Sequence, residues 1–239
     1  MKNKTTKFLF TAVALSVGLL SATTTNASLV SALGGQVVND TDRNITWLAN
    51  ANLADTQDFG VSGIDANGQM TWNTAGLWIA AMNTANYLGY NDWRLPTVTD
   101  TGTSGCNLAF SGTDCGYNVD TSTGELAHLF YDELGNKGYY NALGIGPQSG
   151  WGLTNTGPFS NFQSNTYWLD TVYAPNTDYA WYFYMDLGYQ GAGSQGLDLF
   201  TLAVRPGQVA DVPEPETTWL LSLGLLGMVG VVRRRFVLW

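Results

Sequence analysis

Few reactive side chains are available for chemistry in this chain. It has one histidine, His128, and two cysteines, Cys106 and Cys115, in 239 residues. A Ser-His-Asp triad would have to use His128, and no Gly-x-Ser-x-Gly elbow occurs. On a helical wheel His128 falls opposite Leu126, Leu129 and Phe130, so it is expected to face solvent. With no second histidine and no free cysteine cluster, no transition-metal site is expected. The run Asp40-Thr41-Asp42-Arg43-Asn44 begins like a calcium loop. It has Ile45 where that loop needs Gly and Ala51 where it needs Glu, so it reads as a hairpin turn. Calcium held by scattered loop acids stays open as the one cofactor reading. Paired carboxylates could hydrolyse a glycosidic bond, yet no spacing marks one pair among the seventeen acids of residues 28–212. No catalytic residue is therefore assigned. Arg94 and Arg205 each stand beside a proline, Arg94-Leu95-Pro96 and Arg205-Pro206. They are expected to hold loop carbonyls or pair with an acid such as Asp92, rather than grip a ligand.

The two ends carry a different kind of chemistry, that of export. Lys2, Lys4 and Lys7 precede an apolar stretch from Phe8 to Leu20, and small residues follow as far as Ala27. This is the pattern of a secretory signal over residues 1–27. At the other end stand Pro213-Glu214-Pro215, an apolar run over 217–232, and then Arg233-Arg234-Arg235. Two prolines keep the first segment extended. The run would be about 24 Å long as a helix, a short membrane span. Basic flanks stay cytoplasmic, so everything between the two ends lies outside. Hinge, span and arginines in this order resemble the PEP-CTERM sorting tail. The resemblance implies that an exosortase cuts near Pro213-Glu214-Pro215. The protein would be held in the membrane by its C-terminal helix before that cut, and reach the cell surface or extracellular matrix after it. Outside the cytoplasm a Cys106–Cys115 disulfide is the default. It would order the Gly/Ser/Thr/Asp-rich stretch 101–120, and no adjacent His, Lys or Arg is present to activate a thiol.

The exported part, residues 28–210 with the sorting tail at 211–239, is long enough for one domain with a core. Residues 28–212 hold only Arg43, Arg94, Lys137 and Arg205 against the seventeen acids, a net charge near −13. That balance excludes nucleic acid as a partner, since phosphates would be repelled.

The elements that must position these residues follow from periodicity. Gly35 to Leu48 predicts a hairpin turning at 39–44. Thr71 caps a helix whose Ala75, Trp78, Ile79, Met82 and Ala85 recur at helical spacing. Ser122 and Glu125 form the pattern of a capping box before Leu126, Leu129, Phe130 and Leu134, with Gly135 at the stop. A Gly/Asn/Pro-rich region, 136–165, is expected to turn Trp151 and Phe159 inward. Tyr167-Trp168-Leu169 and Ala180 to Asp186 are strand-like, the latter alternating Trp181, Phe183 and Met185 against Tyr182 and Tyr184. Gly188 to Gly196 is expected to be a loop, before a last strand-like stretch at Leu199–Val204.

These landmarks carry a second resemblance. Thr46-Trp47-Leu48 ends the hairpin, Met70-Thr71-Trp72 opens a helix, and Asp92-Trp93-Arg94-Leu95-Pro96 follows it. Then come Glu125-Leu126, Tyr167-Trp168, Ala180-Trp181-Tyr182-Phe183 and Leu202-Ala203-Val204-Arg205-Pro206. In this order they resemble the Lcl C-terminal domain of a bacterial collagen-like adhesin. The resemblance implies an α+β, C-type-lectin-like fold: two helices, small twisted antiparallel sheets and long loops. It also implies a non-enzymatic surface or matrix role, adhesion or binding of an exopolysaccharide or other glycan. The domain's four bases fit poorly with the sulfated glycans that the adhesin is reported to bind. Two other readings stand beside it, a secreted polysaccharide hydrolase and a purely structural matrix component.

Overall fold

The computed structural model describes residues 28–100 and 110–210. In them the hydrophobic periodicities resolve into an α+β arrangement of two helices and two four-stranded antiparallel sheets. The signal, the sorting tail with its apolar run at 217–232, and Cys106 lie outside the described residues. Among the described residues no helix is long and apolar enough to cross a membrane.

The first sheet has the order β1 (Leu29–Ala32), β2 (Val37–Asp40), β3 (Ile45–Leu48) and β8 (Val204–Pro206). Its centre is the expected hairpin, with Val37 opposite Leu48 and Asp40 opposite Ile45. Asn44 takes the left-handed conformation at the turn, which Asn tolerates better than most side chains. Strand β1 was not legible in the sequence; it pairs Leu29 with Asp40 and so brings the start of the domain against the turn. Strand β8 pairs Val204 with Trp47, so the domain's two ends share one sheet.

The second sheet has the order β4 (Gly116–Tyr117), β7 (Tyr189–Ser194), β6 (Tyr179–Tyr184) and β5 (Thr166–Val172). The alternation in β6 is as expected: Trp181, Phe183 and Met185 are buried while Tyr182 and Tyr184 are half-buried. Gly188 to Gly196 departs from expectation, because most of it is the interior strand β7 rather than a loop. The glycines are there for close approach. A Cβ on Gly193 would lie 3.0 Å from the Tyr182 ring, and one on Gly191 2.6 Å from that of Tyr189.

Helix α1 runs Trp72–Thr84 from its Thr71 cap, whose hydroxyl accepts from the Thr74 N–H. Its stripe of Ala75, Trp78, Ile79 and Met82 is buried. Helix α2 is short, Glu125–His128, and continues as a π turn over Leu129–Glu133. The expected capping box does not form. Gly124 is the N-cap, Ser122 bonds to Asp120, and Glu125 is engaged elsewhere. The apolar face is as expected, with Leu126, Leu129, Phe130 and Leu134 buried and Gly135 left-handed at the end. Trp47, Trp78, Trp168 and Trp181 dominate the core, each at most 1 % exposed.

Candidate functional site

Both landmark arginines are built into the fold. The backbone of Arg94 bridges Val204 in both directions, and its guanidinium grips Glu125 through two bonds of 2.7 Å. A third donor contact reaches the Leu95 carbonyl, and Glu125 also accepts the Thr97 N–H. The Glu125 carboxylate raises the Arg94 pKa further, against the effect of burial. Arg205 holds Asp92 through two bonds of 2.8 and 2.9 Å and stacks 4.1 Å above the Tyr90 ring. That guanidinium keeps the Asp92 carboxyl below the usual range. Trp93 and Leu95 are buried, and the Pro96 carbonyl accepts the Asp170 N–H. Pro206 pairs with Ile45 in the sheet. The segment 93–96 and residues 205–206 are thus a clasp that joins α2 and the last strand to the loop after α1.

The Arg43 guanidinium donates to the Thr121 and Ser122 carbonyls, and Lys137 is exposed. The described surface therefore offers no arginine cluster for a sulfated ligand. Cys115 is buried. Its expected partner Cys106, together with Pro213, Glu214, Pro215, Arg233, Arg234 and Arg235, lies outside the described residues.

His128 is a correction. It does not face solvent: its side chain is 13 % exposed, with Nδ1 3.0 Å from Asp132 and Nε2 3.0 Å from Glu133. The wheel assumed a regular helix, whereas the π turn widens the spiral and the fold sets Asp40 of β2 against that face.

Two polar hollows lie side by side and share Asp55. One, of about 360 Å³, is lined by Asp55, Thr56, Asp58, Ser62 and Asp65, among others. The second, of about 390 Å³, is lined by Asn52, Asp55, Asn67, Gln69, Gln163 and Asn165, with Phe200 at its edge. The chain from 52 to 69 has too few apolar residues to form a strand or a long helix. It is held instead by its own amides and carboxylates. Asp65 accepts the N–H groups of Asn67 and Gln69, each at 2.8 Å, which keeps its carboxyl below the usual range despite some burial. Asn52 donates to the Asn67 carbonyl, and Gly68 must be glycine: its φ is +83°, and a Cβ would stand 2.4 Å from Asn52 Oδ1. Gln163 and Asn165 enter from the segment before β5, each fixed by a backbone or side-chain bond of 2.8–2.9 Å. The hollow thus presents fixed donors and acceptors around a small aromatic edge.

A second surface is aromatic. Phe110, Tyr117, Tyr140, Tyr139 and Trp151 touch in sequence, with ring centroids 4.8–6.2 Å apart. Trp151 was expected to turn inward, yet it is 37 % exposed. Tyr139 fills the space beneath it, and Gly152, whose Cβ would meet the Asp186 carbonyl at 2.8 Å, ties the loop down next to it. Burial pushes the Asp186 carboxyl up, and its Oδ1 has no hydrogen-bond partner among the described residues.

Sequence reasoning singled out none of the residues lining the hollows. The only local signal was the density of Asp, Asn and Gly in 50–69, which predicts turns but not which side chains converge.

The comparisons agree with the landmarks on which these elements stand. The model of the Lcl C-terminal domain matches residues 36–205, and that of the PEP-CTERM protein-sorting motif matches residues 211–235. No curated protein and no solved structure matches the chain. The sorting motif makes this an exported protein handled by an exosortase, crossing the inner membrane and residing at the cell surface or outside the cell once cut. From the hairpin to the last strand, the chain belongs to the Lcl C-terminal domain family.

Proposed function

We propose that residues 28–210 form a non-enzymatic, C-type-lectin-like module that binds neutral saccharide, as in an exopolysaccharide layer, after the tail is removed. The observation that carries this is the amide-lined hollow around Asn52, Asp55, Asn67, Gln69, Gln163 and Asn165. Sugar hydroxyls donate and accept at once, and amides with a carboxylate supply both partners. The domain's acidic surface supports a neutral ligand over a sulfated one. Two helices, two small antiparallel sheets and long loops are consistent with the C-type-lectin-like reading. In the adjoining hollow, N–H donors hold the Asp65 carboxyl below the usual range, which suits it to accept hydrogen bonds rather than to protonate a leaving group. The apolar run at 217–232 would anchor the precursor until the exosortase acts.

The test is a glycan array on the processed protein recovered from its host, with calcium and with chelator. Binding to one class of neutral glycan, weakened at least tenfold by Gln69→Ala and Gln163→Ala in folded protein, is the expected result. Release of reducing ends from the same glycans would instead favour the hydrolase. Silence across the array, with the fold intact, would favour a structural matrix role.

A further inference from the structure

The fold brings Asp40, distant in sequence, to His128 and Glu133. One ligating atom from each lies within 4.8 Å of those of the others. Asp40 is wholly buried, and the Glu133 side chain is 2 % exposed. We propose that these three side chains form a binding site for a divalent transition cation of the zinc class, which staples the first hairpin to the second helix.

Three independent features point to a cation. The first is charge. Two carboxylates this close and this buried repel each other and are costly without compensation. Among the described residues no guanidinium or ammonium is hydrogen-bonded to Asp40, Asp132 or Glu133. A single imidazole carries at most one positive charge against these carboxylates, whereas a divalent ion balances two of them.

The second is the outer layer of contacts. A metal-bound histidine usually donates its other ring N–H to a carboxylate, which fixes the tautomer and the ring plane. Here Asp132 stands 3.0 Å from Nδ1 and leaves Nε2 directed at Glu133. The two acids are similarly fixed. Asp40 accepts the Arg43 N–H at 2.9 Å and faces the Trp47 indole N–H at 3.4 Å. Ser28 donates its hydroxyl to Glu133 Oε2. Every side chain offered to the ion is thus oriented by a partner that the ion would not displace.

The third is the helix. His128 and Glu133 are five residues apart, a spacing that a regular helix would rotate off one face. The π turn over Leu129–Glu133 puts them together, and such turns are often retained at functional positions. The Nε2-to-carboxylate distance of 3.0 Å is close to the edge of about 3.3 Å expected between two ligands about 2.0 Å from one tetrahedral ion. An imidazole beside carboxylates favours zinc over calcium, which prefers an all-oxygen shell. Water would complete four-coordination.

His128 is the chain's only histidine, so its ring signals in an NMR spectrum are unambiguous. Chelator-stripped full chain in detergent is titrated with Zn2+, and with Ca2+ as control. The expected result is one Zn2+ per chain, a shift of both ring signals of His128 complete at one equivalent, and a raised melting temperature. Calcium should produce neither change. Glu133→Gln should weaken Zn2+ binding at least tenfold. His128→Gln should abolish it while the near-ultraviolet circular dichroism persists. Unmoved ring signals at saturating Zn2+, or equal binding by a folded His128→Gln variant, would overturn the proposal. If the His128 variant does not fold, the wild-type ring signals alone decide.

Discussion

Trp181 shows how a single residue holds two parts of the domain together. It is 1 % exposed in the middle of β6, and its indole N–H donates to Asp100 at 3.0 Å. Truncation to Ala would empty a large volume and remove the indole's bond to Asp100. We expect Trp181→Ala to lose about 3–5 kcal/mol in a denaturant titration of the processed protein. An unchanged unfolding midpoint would place the ring at the surface instead. Asp186 makes the opposite prediction. Burial raises its carboxyl pKa above 3.8, so the fold binds that proton more tightly than the unfolded chain does. Its contribution is therefore full below pH 3.8 and lost as pH rises through the folded value. Asp186→Asn should raise the melting temperature at pH 7, and the gain should vanish in acid. A gain that persists at pH 3 would assign the effect to packing rather than charge.

At the scale of elements, the stretch 101–120 deserves the most direct test. Strand β4, Gly116–Tyr117, is only two residues long, and Cys115 is buried just before it. A Cys106–Cys115 disulfide would restrain the preceding chain and is worth about 2–3 kcal/mol for so small a loop. We expect both thiols to resist alkylation in exported protein under non-reducing conditions. Mass spectrometry showing two alkylated cysteines would contradict it. Replacing both by Ser should loosen β4 while leaving β5 to β7 protected in hydrogen exchange, because those strands pair over six registered positions between β6 and β7.

The clasp is a second matter of elements, and it shows what patterns can and cannot disclose. Arg94 and Arg205 were legible as structural from their neighbouring prolines, and Asp92 was legible as a partner. Glu125 was not, because its helical position suggested a capping box. Its distance from Arg94, 31 residues along the chain, is spanned only once the Arg94–Val204 bridge and α2 are in place. Strand β7 was missed for a related reason. Glycine has low strand propensity, but here Tyr182 on the neighbouring strand and Tyr189 on β7 itself need its missing side chain.

For the whole molecule, the governing event is the cut. In the sequence Pro213-Glu214-Pro215 stands between the domain and the apolar run, so cleavage there separates the two without removing any residue of the domain. The intact mass of protein recovered from its host should lack Trp219–Trp239, and also residues 1–27. A mass that retains the apolar run would rule out processing at this motif. The net charge of residues 28–212 would then disfavour anionic polymers as partners.

Sequence alone determined the address, the family and most of the core. Signals, tails, caps and apolar stripes are local or periodic, and the physics that reads them needs only neighbouring residues. Thr71, the Trp78 stripe and the alternation in β6 were therefore visible at once. Tertiary structure alone decided which polar groups meet. Asn52 and Gln163 line one hollow, and Asp40 comes to lie beside His128 and Glu133, because two sheets and a π turn close distances of about a hundred residues. No period in the sequence encodes such a meeting. It is fixed by the sum of many apolar contacts, and the polar residues are carried to their places by the core they do not belong to.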